Sequence, residues 1–340
     1  IFQSRVFDGI MKVLLSVRSI NLNYNVNERT GMSGIIHSPG IFGLNSFSKS
    51  PGWNFILGSQ DSKIRNLAAD NGWLVANDYL NNPFVQSRNN NFQFRSSIQP
   101  LNSLRIQLDA KRIVSENFQE IFRFDSNKGS FVSLTPTRGG SFSLSFLSIK
   151  TSFLKDDNTN NSPVFEKFVT NRNIIRDRLN TLNTQGEYGI NSQDVLIPAF
   201  ISAYSGSDAS TFSLKPFPKI PIPNWRLDFS GLGKIKSLSE IFSSITISHA
   251  YQSIYSIGEF SNSLLYVDDL DFTNSIMNYP LASQQSENGL IPFFIINQVR
   301  ITERFSPLIG INVRTKNNLN ARVDYKKDRN VMLNLSNSQV

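Results

Sequence analysis

An all-β fold is predicted, and more narrowly an antiparallel transmembrane β-barrel with long loops and one short helical insertion. Three observations predict it. Apolar and polar residues alternate through segment after segment of the chain. Helical spacing of apolar residues is sustained in a single long stretch, so no layer of covering helices recurs with the strands. The connections are rich in Asn, Ser, Asp and Gly, and some are long. A sheet with one apolar face, one charged face and few helices suits lipid on one side and water on the other.

The clearest alternation runs from Leu308 to Ser336. Ile309, Ile311 and Val313 alternate with Gly310, Asn312 and Arg314. A turn is expected at Lys316-Asn317-Asn318. Leu319, Ala321, Val323 and Tyr325 then alternate with Asn320, Arg322, Asp324 and Lys326. A second turn is expected at Lys327-Asp328-Arg329, before Val331, Leu333 and Leu335. Three successive strands are therefore predicted here.

From the N-terminus, Val13 to Val26 is the first long strand. Its apolar set changes phase between Val17 and Ile20, and a bulge near Arg18-Ser19 reconciles the two halves. Thr30 to Pro51 reads as a long Gly/Ser/Pro loop, Trp53 to Gly58 as a short strand, and Ile64 to Ala69 as a helical turn closed by Asn71-Gly72. Phe92 to Ile98, Leu104 to Lys111, Phe118 to Phe124 and Phe142 to Phe146 are strands. In Pro163 to Leu182 the apolar residues recur at helical spacing, with Ser162 before it, Pro163 in the first turn and Glu166 near that end. Residues 162–183 are thus a helical insertion between strands. Ile190 to Tyr204 is mixed, and Pro216 to Pro223 is a connector. Strands resume at Trp225 to Phe229, Ile241 to Tyr251, Ile254 to Phe260 and Phe293 to Ile301, about a dozen in all at ordinary strand lengths.

Composition narrows the function. The 340 residues carry a net charge of +8, but Lys and Arg are scattered over polar strand faces, and no basic block with interleaved aromatics suggests nucleic acid. With no cysteine there is no disulfide, iron–sulfur cluster or thiol catalysis. The longest apolar run, Leu290 to Ile296, is too short for a membrane-spanning helix and contains Pro292. Strands remain able to span, because only alternate residues need be apolar. The chain starts at Ile1-Phe2-Gln3-Ser4 without Met or a leader pattern, and ends just after a strand-like run. Residues 1–340 are therefore read as one fragment of a larger barrel.

No catalytic, cofactor or metal motif stands out, and an enzyme is not expected. Gly231-Leu232-Gly233 lacks the third glycine of a phosphate loop and reads as a turn. Asp268, Asp269 and Asp271 fit no known calcium loop and read as solvated. His37 and His249 are far apart, and His249 continues the face of Ile245 and Ile247 beside Tyr251. Trp53 and Trp225 each follow a proline by two residues where a strand is expected to begin, the headgroup-level placement of an interfacial aromatic girdle. Arg105, Gln107, Asp109, Asn312, Arg314, Arg322 and Asp324 lie on polar strand faces. In a barrel they must line the lumen, because a lipid-facing charge costs roughly 2–4 kcal/mol at mid-bilayer. In a soluble sheet they would face solvent.

Longer strings narrow the field further. TGMSG at Thr30 to Gly34, PGWNFILGSQDSKIRNLAADNGWL at Pro51 to Leu74 and INSQDVLIPAFISAYSG at Ile190 to Gly206 resemble the SprA (Sov) family of Bacteroidota. So do PNWRLDFSGL at Pro223 to Leu232, ITISHAYQSIYSIGEF at Ile245 to Phe260 and the run from Ile296 to Gln339. These strings occur in the family's order over most of the chain. The resemblance implies the outer-membrane translocon of the type IX secretion system, a single-chain barrel of roughly 36 strands. It implies export of folded cargo with C-terminal signal domains, gliding adhesins among them, with no covalent chemistry and no cofactor. The implied partners are a plug protein, a PorV-like shuttle barrel, the cargo proteins and outer-membrane lipid. The loop Thr30 to Pro51 and the helix Pro163 to Leu182 are candidates for capping the channel or docking a partner. Two rival readings are a TonB-dependent transporter and a soluble or surface β-sandwich adhesin.

Overall fold

The computed structural model describes residues 16–155, 162–183, 186–266, 275–276, 279–281, 284–286 and 289–335. Of these, 47% are in strands and 20% are helical. In chain order the elements are β1 (Val17–Gly31), α1 (Trp53–Ile56), α2 (Ile64–Asp70), β2 (Phe84–Leu101), β3 (Leu104–Asp125), β4 (Ser130–Ser145), α3 (Pro163–Leu182) and α4 (Gln193–Ser205). They continue with β5 (Asn224–Phe229), α5 (Lys236–Ser239), β6 (Phe242–Asn262), β7 (Gln284–Ser286), β8 (Gly289–Ile291), β9 (Phe294–Ile296), β10 (Gln298–Thr315) and β11 (Asn320–Asn334). One nine-stranded antiparallel sheet has the order β1-β2-β3-β4-β6-β10-β11, with β5 between β3 and β6 and β9 beside β6. Among the described residues it is open and does not close into a ring.

Fewer and longer strands carry the alternation than the local pattern suggests. Leu104 to Lys111 and Phe118 to Phe124 are parts of β3, and Ile241 to Tyr251 and Ile254 to Phe260 are nearly all in β6. A bulge falls between Val17 and Ser19, as the change of phase there predicts. Lys327-Asp328-Arg329 is not a turn. It pairs with Phe305, Arg304 and Glu303, and β11 runs straight through. The irregularity lies opposite, in β10 between Phe305 and Ile309. Trp53 opens a four-residue helix and not a strand, between Gly52 and Gly58, both with positive φ. Gly231 to Lys234 is a turn of 3-10 helix between β5 and α5. Val13, Asp268, Asp269 and Asp271 lie outside the described residues.

The helical insertion is larger than one helix, and it interrupts a strand. β4 and β5 share one position in the sheet. Leu144 pairs with Arg112 and Tyr255, and a little further along Trp225 pairs with Leu108 and Tyr251. Residues 146–223 are an excursion between these two half-strands. The cut ends are stitched side by side: Ser145 Oγ accepts from Lys111 N at 2.9 Å and Asn224 Nδ2 at 3.3 Å, while Asn224 Oδ1 accepts from Ser253 N at 2.8 Å.

The excursion carries α3 and α4. Val164, Phe168, Ile175 and Leu179 form the buried stripe of α3. In α4 every residue from Asp194 to Ala203 is buried, and Gly206 closes it in the left-handed region at φ 69°. Both helices share one core with Val114, Phe142, Leu144, Tyr255, Ile257, Val299 and Ile301. A smaller core packs Ala68, Trp73 and Leu74 on Phe84, Phe118 and Phe122.

Candidate functional site

The pairing register assigns every strand residue to a face. Leu104, Ile106 and Leu108 pair with Phe229, Leu227 and Trp225, which pair in turn with Ile247, His249 and Tyr251. Ile247 continues to Ile311 and Val323. On the other side Leu108 and Ala110 lead through Ser96 and Phe94 to Ile20 and Leu22. All of these belong to one face, which is apolar from edge to edge.

That apolar face is divided along its length. Towards one end of the strands α2, α3 and α4 cover it. Towards the other it is bare: Leu22 is 66% exposed, Val323 69% and Tyr325 62%. The bare band crosses the strands obliquely. Its exposed residues include Val323 and Tyr325 on β11, Ile309 and Ile311 on β10, and Ile20, Leu22 and Tyr24 several rows higher on β1, while Ile245 on β6 is buried. On β3 the face carries no charge from Leu104 to Arg112, and in the last hairpin none from Leu319 to Lys327. Each interval is about 26 Å along the strand.

A polar row bounds the band where the helices begin. Ser253, Glu303 and Arg329 are direct cross-strand partners on the apolar face. Ser148, at the root of the excursion, drops beside them and hydrogen-bonds to Glu303, Ser253 and Tyr251. Arg329 Nη2 donates to Glu303 Oε2 at 2.8 Å, and Nη1 to the Thr151 carbonyl at 2.9 Å. Lys327 Nζ donates to the Ser152 carbonyl and lies 4.4 Å from the Phe153 ring centre. The sequence marks this network only faintly. Its one local sign is that Lys327 and Arg329 keep the phase of Val323 and Tyr325, which a turn would not require.

The opposite face is polar and charged behind the bare band, and higher up it carries isolated apolar residues such as Ile113, Ile121 and Ile254. Arg105, Gln107, Asp109, Asn312, Arg314, Arg322 and Asp324 all lie on it, as the alternation required. The register brings them together: Arg105 pairs with Asp228, Gln107 with Arg226, and Asn312 with Arg322. Their charges are matched at the surface, with Arg95–Asp109 at 2.9 Å, Arg226–Asp228 at 3.0 Å and Arg322–Asp324 at 2.8 Å. These exposed pairs add little stability but keep the face hydrated. Higher up, Ser115, Asn117, Gln119, Thr137, Ser141 and Ser261 line a polar trough on the same side, with Arg29, Arg138 and Glu259 also in its lining.

Trp225, the second residue of β5, stacks on Tyr251 with centroids 4.5 Å apart at the upper margin of the band. Trp53 is half exposed, on the connection between β1 and β2 and off the sheet. His249 anchors the irregular part of β10 through Nδ1 and the Leu308 carbonyl, 2.7 Å apart. The chain ends of the sheet also differ. Residues 32–83 and 146–223 connect strands at or towards the helix-covered end, where β3 and β4 are joined by a short turn; at the bare end β2–β3 and β10–β11 are joined by short turns and β5–β6 by residues 230–241. The loop Thr30 to Pro51 and helix α3 both attach to the apolar side of the sheet, not to the charged face. No protein-family model and no curated protein matches this chain.

Proposed function

We propose that this chain is part of the wall of a very large outer-membrane β-barrel that conducts folded proteins. The observation that carries the reading is the bare apolar band, which runs across the open sheet opposite the charged and polar stretch of the other face. A sheet whose apolar half is left uncovered in water is an aggregation hazard. In a bilayer the same band is solvated by acyl chains. Intervals of about 26 Å along strands tilted near 40° give about 20 Å of height, close to the roughly 25 Å apolar belt of outer-membrane barrels. The oblique course of the band suits such a tilt.

A soluble two-layer sheet would explain the helices over the upper half of the apolar face. It leaves the lower half without a cover. The type IX assignment, with its plug, PorV-like shuttle and C-terminally tagged cargo, rests on the strings that resemble the SprA (Sov) family. Function on this reading is steric and electrostatic: Arg105, Gln107, Asp109, Asn312, Arg314, Arg322 and Asp324 keep water along a path through which cargo slides. The open edges of β1 and β11 pair with further strands of the barrel.

Detergent extraction of the full-length protein from native membranes, followed by imaging with whatever co-purifies, tests this. A giant barrel with a detergent belt at the level of Val323 and Leu22, bound to a plug or porin-like shuttle, is expected. A barrel with an internal plug domain of its own would favour a TonB-dependent transporter. A water-soluble particle with no belt would leave the adhesin-like reading.

A further inference from the structure

The connection between β1 and β2 carries a second apolar surface, separate from the band. Phe47 is 99% exposed, Ile41 and Phe42 are each 80% exposed, and Leu57 and Trp53 are also exposed. A lone exposed apolar side chain is ordinary; this density in one short segment is not. Phe42 and Lys49 sit in the left-handed region, at φ 60° and 61°. Non-glycine residues there are strained and persist where surrounding structure holds them. The backbone therefore presents Phe42 to the outside at some expense in stability.

The segment leaves the sheet at one particular height. On β1 the apolar face carries no charge from Ile20 until Glu28, which pairs with Arg88 at 3.2 Å. At that level the far end of the connection is tied down. Gly58 lies against the Glu28 carbonyl, Thr30 Oγ1 donates to the Ser59 carbonyl at 2.8 Å, and Gln60 Nε2 donates to the Arg29 carbonyl at 3.3 Å. The near end is held on the apolar side of the sheet, where Ile36 N donates to the Trp73 carbonyl. The exposed aromatics thus stand beside the wall, on its lipid side, at the upper boundary of the band. Residues 32–60 contain no Asp or Glu, and Lys49 is the sole Lys or Arg. Apolar and aromatic side chains with a single cation suit the headgroup layer of a bilayer, which adds about 5–8 Å on each side of the hydrocarbon core.

We infer that Ile41, Phe42, Phe47, Trp53 and Leu57 form a lipid-inserting foot that enters the headgroup layer of the leaflet bordering the upper edge of the band. This rests on the membrane reading of the band. It commits to lipid as the occupant, because the patch is continuous in height and side with the face that lipid would cover.

These 340 residues hold no cysteine, so the labels need no replacement here, and any cysteine elsewhere in the full-length protein is first changed to serine. Single cysteines replace Phe47, Val323 in the band and Lys128 in the β3–β4 turn, each labelled with a polarity-sensitive fluorophore. The full-length protein is reconstituted in vesicles of phosphatidylethanolamine and phosphatidylglycerol, with and without brominated acyl chains. Expected is a blue-shifted emission for the labels at 47 and 323 that brominated lipid quenches and aqueous iodide does not. The label at 128 should behave oppositely. If the label at 323 meets lipid while the one at 47 meets iodide, the foot is refuted and the membrane reading stands. A label at 47 shielded from both quenchers also refutes it, in favour of a protein cover. If the label at 323 itself meets iodide, the membrane reading fails and the foot falls with it.

Discussion

Asp194 is the second residue of α4 and is fully enclosed, with Tyr279 Oη donating to its Oδ1 at 2.9 Å. Burial pushes its carboxyl up from the usual 3.8 to about 6, and the Tyr279 hydrogen bond only partly opposes this. A carboxyl raised in the folded state binds a proton that the unfolded chain has released. Stability contributed here is therefore lost as pH rises through about 6 and is recovered as pH falls towards 4. Amide-exchange protection of Ser192 to Ser205 should increase between pH 7.5 and 5. Asp194→Asn should flatten that dependence, and a profile unchanged by the substitution would contradict the assignment. Gly140 offers a test of packing at the same scale. A Cβ there would lie 1.9 Å from the Ser115 carbonyl oxygen, where β3 and β4 pair, whereas at Gly258 it would meet nothing within 4 Å. Gly140→Ala should cost about 1–3 kcal/mol or more, read as a lower denaturation midpoint, and Gly258→Ala should cost far less.

At the scale of elements, the excursion 146–223 is anchored by polar contacts at its root and by apolar packing along its helices. Ser145 and Asn224 are already neighbours in the sheet, so the strand they interrupt can be closed. Excising residues 146–223 and joining Ser145 to Asn224 through one residue should leave β3 paired with β5 and β6. It should also uncover Phe142, Leu144, Tyr255 and Ile257, so the variant should bind more detergent and precipitate sooner when detergent is withdrawn. Loss of amide protection across β3 and β6 would mean instead that the excursion builds the sheet. Much of this level was legible in sequence. Alternation located the strands, the phase change at Arg18 located a bulge, and Pro163 with its apolar stripe located α3. The misses share a physical cause. α4 is apolar on all sides, so no periodicity marks it. Lys327-Asp328-Arg329 is polar because Glu303, Arg304 and the Ser148–Ser152 carbonyls receive it, and that is a non-local fact. Likewise nothing near Ser145 says that its strand resumes at Asn224.

For the whole molecule, the deciding matter is the medium on the bare half of the apolar face. Val323 lies midway between Leu319 and Lys327, and Arg322 beside it points to the charged face, where it pairs with Asp324 at 2.8 Å. The two positions separate the readings because their expected costs exchange. In water, Val323→Arg changes an exposed side chain and should stay within about 0.5 kcal/mol. At the centre of a bilayer the same change costs roughly 2–4 kcal/mol, a drop of about 30-fold or more in the folded-to-unfolded ratio in vesicles. Arg322→Ala loses only an exposed ion pair on either reading, within about 1 kcal/mol. Folding titrations of the full-length protein into phospholipid vesicles, with Arg322→Ala as the reference, measure the difference. A large penalty at 323 beside a small one at 322 would assign lipid to one face and water to the other across a single peptide bond. Equal, small penalties would mean that both faces meet water, and the same sheet would then need a partner to cover Leu22, Ile311, Val323 and Tyr325.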